Sequence, residues 1–303
     1  MKINMKTVIN RYISTSLILL VSVFFCLTAE AAKIAFERGD AIWVANLDGS
    51  SAKNITKGSQ PAISPDGTRV AFNTNDSQTT PERHIAIIEL ASGKITIFNK
   101  VPSNNSFDPA WSPNSKTLLF STLTGKDWQL ALINADGSHY QLMPHTNNFY
   151  APTWSADGKS FFCQNLDSIE QRGLDGAQLK KWNISTILPN SSMSSSSSLN
   201  AAPNGKSLLL EADMSEASNR KNWDGPPPAL WLLDLATNKT TRLTETKVFA
   251  RSPYWITSEE FVFISQGEND KQPSLYRGSI KNKSFVLILK NVQTPSVSYH
   301  KNS

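Results

Sequence analysis

The side chains able to do chemistry in this 303-residue sequence are few, and their placement argues against most catalytic arrangements. The four histidines are His84, His139, His145 and His300. His84 begins an apolar run, His139 follows the turn signal Asp136-Gly137, His145 sits in a polar connection and His300 is near the C-terminus. Side chains that share a metal must converge, and these four have no common surroundings, so no metal site and no cofactor is expected. Beyond residue 31 a single cysteine remains, Cys163, in the run Phe161-Phe162-Cys163 that has the character of a buried strand. A thiol in such a run, with no histidine near it in sequence, is a packing group rather than a nucleophile. No catalytic residue is assigned, and the chain is expected not to be an enzyme.

What recurs instead is a turn between two short apolar runs. Five segments align: Pro61-Ala62-Ile63-Ser64-Pro65-Asp66-Gly67, Pro109-Ala110-Trp111-Ser112-Pro113-Asn114-Ser115, Pro152-Thr153-Trp154-Ser155-Ala156-Asp157-Gly158, Leu199-Asn200-Ala201-Ala202-Pro203-Asn204-Gly205 and Pro253-Tyr254-Trp255-Ile256-Thr257-Ser258-Glu259. Their first residues are 48, 43, 47 and 54 positions apart. In Ser-Pro-Asp-Gly the proline presets φ, the aspartate caps the turn with its side chain and the glycine accepts the positive φ that closes it. The copies without glycine, Asn114-Ser115 and Ser258-Glu259, are expected to make wider or slightly strained turns. A β-type run follows each motif, as in Arg69-Val70-Ala71-Phe72 and Phe261-Val262-Phe263-Ile264. Next come a variable loop, an alternating run such as Leu230-Trp231-Leu232, a further turn and a fourth short strand such as Thr240 to Leu243.

A period of this length, holding four antiparallel strands, describes one blade of a β-propeller. The expected fold is all-β: a six-bladed propeller of four-stranded antiparallel blades. The first unit, Lys33 to Thr56, lacks its innermost strand, and Thr294-Pro295-Ser296-Val297-Ser298-Tyr299 has the pattern of that strand. The C-terminal strand is therefore expected to complete blade 1 and close the ring, leaving no sheet edge at the seam.

Residues 1–31 are read as a signal peptide and 32–303 as the propeller domain. Lys2, Lys6 and Arg11 precede the apolar stretch Leu17 to Leu27, which ends in Ala29-Glu30-Ala31, the three regions of an export signal. Eleven residues of helix rise only about 16 Å, roughly half a bilayer's hydrocarbon core, so cleavage after Ala31 is expected and not anchoring. Phe24-Phe25 stand where lipoprotein processing at Cys26 needs a small residue. Beyond residue 31 no apolar run is long enough to span, which points to a periplasmic protein without membrane insertion after cleavage. There, 27 basic residues face 24 acidic ones with no cationic run, so no nucleic-acid partner is expected.

The Pro-x-Trp-Ser-Pro-Asp-Gly units and their spacing resemble the propeller repeats of the TolB-like family, six-bladed domains common in the bacterial periplasm. The resemblance covers nearly all of residues 33–299. It is to the propeller alone, because full-length TolB proteins carry an N-terminal α/β domain, and here the first blade begins almost at the cleavage site. WD-repeat proteins are the competing likeness, but the Gly-His and terminal Trp-Asp pattern is missing from the blades.

Residues just before each motif are expected to overlook the central channel: Gln60, Asp108, Ala151, Ser198, Ser252 and Thr294, with Ser59, Phe107, Tyr150, Arg251 and Gln293 one step earlier. Asp108, Tyr150 and Arg251 are the candidate binding residues there. A paired-carboxylate hydrolase would need a second acid among these positions, and none is present. The repeated Trp111, Trp154 and Trp255 are expected to pack between blades rather than stack on sugars. The largest insertion, Asp213 to Pro228, adds Arg220, Lys221 and Trp223 as candidate contact residues on a proline-stiffened loop. Ser191 to Ser198 is low in complexity and expected to be a mobile connector. The expected task is a non-enzymatic scaffold, a monomer, that binds a protein or peptide of the cell envelope through its loops or channel mouth. The alternatives are an envelope carbohydrate-active hydrolase or lyase, and a small-ligand binding module using the channel.

Overall fold

The computed structural model describes residues 32–74, 82–214, 227–245, 248–267, 270–282 and 284–298. These residues form six antiparallel sheets arranged as the blades of a propeller. Blade 2 is typical, with strands Ser59–Ile63, Arg69–Asn73, Ile85–Glu89 and Ile95–Ile97 in sequential order. In blade 1 the innermost strand is Gln293–Val297, paired with Lys33–Arg38 so that Ile34 faces Val297 and Ala35 faces Ser296. The main chain of Ser298 donates to Lys33 O at 3.0 Å, and Lys33 N donates to Ser298 Oγ at 2.9 Å. The two ends of the described chain are thus joined within one sheet, as the repeat count required.

The turn motif closes as its residue types dictate. In blade 2, Ser64 Oγ donates to Asp66 Oδ1 at 2.6 Å and accepts Arg69 N–H at 3.0 Å, while Asp66 Oδ1 accepts Thr68 N–H at 3.0 Å. Blades 3 and 4 repeat the clasp with Ser112 on Asn114 and Ser155 on Asp157, both at 2.7 Å. Gly67 and Gly158 take φ of +70° and +69°, and Ser115 holds the same position at +59°. The blade 3 turn is therefore strained but not wider, because a serine must adopt the left-handed backbone that glycine accepts freely. In blade 6 the turn is shorter than expected. Trp255 pairs with Phe261, six positions on, where Ile63 pairs with Val70 at seven, so no glycine position exists.

The core lies at the junctions between blades rather than within them. Six apolar clusters occur among the described residues, one for each pair of neighbouring blades. Each repeated tryptophan bonds across a junction as well as filling it: the indole N–H of Trp111 donates to Ala62 O at 2.8 Å, Trp154 to Ala110 O at 3.1 Å and Trp255 to Asn200 O at 3.1 Å. All three are buried. Their recurrence reflects this packing role, since an indole in contact with the next blade needs a buried acceptor for its N–H. Cys163 is fully buried in the junction of blades 3 and 4, and burial pushes its thiol pKa strongly upward, which keeps it an unreactive thiol.

Blade 5 departs from the repeat. The serine-rich segment is not a loose connector: Ser191–Ser192 pairs as an extra strand with Asp213 and Met214, and a turn from Ser194 to Ser197 follows. Gln164 Nε2 of blade 4 donates to Ser194 O at 2.8 Å and ties that turn to the neighbouring blade. A low-complexity run still orders when its backbone groups find partners.

Candidate functional site in the central channel

The innermost strands begin with a shift in register, between Ser59 and Ala62, Phe107 and Ala110, Tyr150 and Thr153, and Arg251 and Tyr254. The residue before each motif proline lies in that irregularity with left-handed backbone: Gln60 at φ +50°, Asp108 at +59°, Ala151 at +51°, Ser252 at +52° and Thr294 at +46°. Proline ordinarily drives its predecessor to extended conformations, so these five positions are held by the sheet against local preference. Ser198 occupies the sixth position, but Leu199 follows it instead of proline, and it is not left-handed. The bulge turns Gln60, Asp108, Ser252 and Thr294 toward the axis, where they and Ser198 line a channel of about 980 Å³ with Phe107, Trp128, Tyr150, Glu211, Arg251 and Gln293. Ala151, expected there, is instead buried in the junction of blades 4 and 5, because its methyl packs into that apolar cluster.

Side chains from one blade accept the backbone N–H of the next blade's bulge. Glu37 Oε1 accepts Gln60 N–H at 2.6 Å, Gln60 Oε1 accepts Asp108 N–H at 3.2 Å, and Glu211 Oε2 accepts Ser252 N–H at 2.9 Å. Glu211 Oε2 also accepts the Ser198 hydroxyl at 2.8 Å. Burial raises the pKa of Glu211, opposed by those two hydrogen bonds and by the Arg251 guanidinium. Arg251 in turn donates to Gln293 Oε1 at 3.2 Å.

Asp108 is treated differently by its surroundings. Its carboxylate takes no hydrogen bond or ion pair from any described residue, and burial together with the nearby Glu211 charge pushes its pKa from 3.8 up to about 6. The group is half-buried, because the channel reaches it. At the mouth, Phe107 meets Trp128 edge-on at 4.8 Å and Arg83 lies over the Phe107 ring at 5.1 Å. The channel wall therefore combines aromatic surface with carboxylates of unequal environment.

Asp108, Tyr150 and Arg251 share this channel, while Arg220, Lys221 and Trp223 lie outside the described residues. The expectation that the channel lacks a second acid is corrected by Glu211. That acid comes from the second strand of blade 5, Ser207–Met214, not from an innermost strand. Glu37, Asn73, Gln164 and Glu211 stand at one repeat position, three residues beyond the partner of the motif's third residue. The position is polar in each of these four blades, a regularity carried by the repeat itself. The other charged cluster, Glu170 with Arg172 at 2.7 Å in blade 4, is nearly sealed from solvent, and Arg172 donates to Gly176 O and covers Phe149. It braces its own blade. His84 lies 3.9 Å from Glu82, and His139 contacts Asn134 and Ser138. Among the described residues no three metal-ligating side chains come together.

No protein-family model matches the chain. Two curated proteins named Protein TolB homolog are similar to parts of it: one from Chlorobaculum tepidum, 31% identical over 101 residues, and one from Chlorobium luteolum, 28% identical over 122. The matches cover 32% and 39% of this chain and 22% and 27% of those proteins. Among solved structures, TolB from Acinetobacter baumannii superposes with a TM-score of 0.68 at 16% identity, over 89% of this chain and 67% of that one. A chain of a nidogen/laminin complex gives 0.63 at 11% identity, over 88% and 98%. An oligogalacturonate lyase in complex with manganese gives 0.51 at 13% identity, over 82% and 70%. At these identities the structural likeness is one of fold, and the fold is that of a TolB-like six-bladed propeller.

Proposed function

We propose that this TolB-like propeller is an exported, non-enzymatic scaffold that binds a protein or peptide of the cell envelope at the mouth of its channel. The observation that carries the reading is the channel itself: about 980 Å³ of concave space holding Asp108, Tyr150 and Arg251 beside the Phe107–Trp128 pair. Aromatic and arginine side chains around a rigid concavity make a good anchor site for a partner's protruding segment. The nidogen/laminin complex is an assembly between proteins and includes a chain of this shape, which favours a protein partner here. Residues 1–31 are proposed to be removed on export to the periplasm, so that the mature chain begins at Ala32. Amino-terminal sequencing of protein from a periplasmic extract checks that step.

The binding reading is tested by photo-crosslinking in cells, with the reactive residue at Tyr150, at Trp223 in the insertion, or at Leu179 on an outer strand. A discrete envelope-protein adduct is expected from position 150 and none from 179. Adducts from 223 alone move recognition to the insertion, and equal labelling from 150 and 179 overturns the reading. A carbohydrate-active enzyme is the second reading, favoured by one observation: Asp108 and Glu211 are close enough for one charge to raise the other's pKa. Turnover of envelope polysaccharide that is lost in both Asp108→Asn and Glu211→Gln is the outcome that replaces the scaffold reading.

A further inference from the structure

We infer that the channel recognises a cationic side chain, lysine or arginine, presented by the partner, and that Asp108 is the group that pairs with it. The inference rests on the channel-binding reading above and adds the chemistry of what is bound. Among the described residues the carboxylates that line the channel are Asp66, Asp108 and Glu211, and two are already engaged. Asp66 accepts from Ser64 and Thr68 and pairs with Arg69 at 3.4 Å, and Glu211 accepts the Ser252 N–H and the Ser198 hydroxyl with Arg251 nearby. Among the described residues Asp108 has neither a donor nor a cation, and the charge that acts on it there is the like charge of Glu211.

An enclosed carboxylate without a partner is costly to keep ionised, and a cation placed against it recovers much of that penalty. The basic groups described in the channel wall do not do this. Arg251 donates to Gln293 Oε1 and its charge acts on Glu211, and Arg83 donates to Asn105 Oδ1 at 2.8 Å and covers Phe107. Neither guanidinium pairs with Asp108, so its carboxylate is left for a cation that enters the channel. The approach also suits a long side chain. Trp128 and Tyr150 line the same channel, so the aliphatic stem of lysine or arginine has aromatic surface to lie on while its charged end reaches Asp108.

The test uses the full mature chain at pH 7.5 and four pools of mixed-sequence octapeptides, each with one central residue fixed as lysine, arginine, norleucine or glutamate. The lysine and arginine pools are expected to bind about tenfold or more tightly than the norleucine pool, as a charge-assisted pair in an enclosed site allows. Asp108→Asn and Asp108→Gly, both compatible with left-handed backbone, are expected to erase that preference and keep the binding of the norleucine pool. A melting curve on each variant checks that the ring is intact. Equal binding of all four pools overturns the inference and leaves the channel as a peptide site. A preference that survives both substitutions also overturns it. Failure of every pool to bind removes the channel-binding reading, and this inference with it.

Discussion

Asp108 combines two unfavourable conditions, a left-handed backbone before Pro109 and a desolvated carboxylate that feels the charge of Glu211. Both are paid by the fold, and the second can be read through pH. A carboxyl group whose pKa rises from 3.8 in the open chain to about 6 in the ring is neutral in both states at low pH. The penalty for ionising it in the native state develops as pH climbs from about 4 to 6 and is complete above that. Asp108→Asn is therefore expected to stabilise the protein at pH 8 by on the order of 1–2 kcal/mol, after discounting the full shift for screening through the channel. At pH 3.5 the same substitution should change nothing. Melting temperatures of the two proteins at both pH values decide the matter, and an equal gain at both would place the effect in the backbone rather than in the charge. A residue that weakens the fold when charged, at the centre of a channel able to admit a ligand, has the profile expected of a site and not of a packing position.

The blades hold together through their junctions, and the repeated tryptophans show how. Trp154 is buried between blades 3 and 4 and donates its indole N–H to Ala110 O, so it contributes both area and a satisfied polar contact. Trp154→Ala is expected to cost about 3–5 kcal/mol, the range for emptying a large buried aromatic site. Trp154→Phe, which fills most of the ring's place but leaves Ala110 O without its donor, should cost less, and urea unfolding of the two variants separates packing from the hydrogen bond. A near-neutral Trp154→Ala would mean that the junctions are not the core. These elements were legible in the sequence because a blade is a local unit: its turn residues, strand lengths and tryptophan recur at each copy. What the repeat obscured was the channel's second layer. Glu211 is not legible from the residues before each proline, because those belong to the innermost strand and Glu211 lies on the second, Ser207–Met214. The ordered serine strand in blade 5 and the shortened turn in blade 6 were hidden for the opposite reason. Each breaks the period, and its conformation depends on tertiary partners such as Gln164 that composition does not reveal.

At the scale of the whole molecule the decisive contact is the one that joins residues more than 250 positions apart. Val297 is fully buried in the junction of blades 6 and 1, with Ile34, Phe36, Ile264 and Leu275, and it pairs with Ile34 across the closing sheet. Ser296 Oγ in the same strand accepts the Ile63 N–H of blade 2 at 2.9 Å, so the closing strand grips the blades on both sides. An open chain of six blades would leave two sheet edges and two unburied junction faces, which a propeller avoids by closing. Closure also fixes the channel, since Gln293 and Thr294 supply part of its wall. Val297→Asp preserves chain length while placing a charge in that apolar seam, and it is expected to destabilise the protein by about 3–5 kcal/mol. Deletion of residues 293–303 should go further, with a lower melting temperature and a less cooperative transition, because the ring then unfolds from its freed ends rather than as one unit. The two variants are read together by urea unfolding. If Val297→Asp and the truncation both keep the wild-type midpoint and slope, the ring does not depend on its seam, and the channel that the seam completes cannot owe its shape to closure.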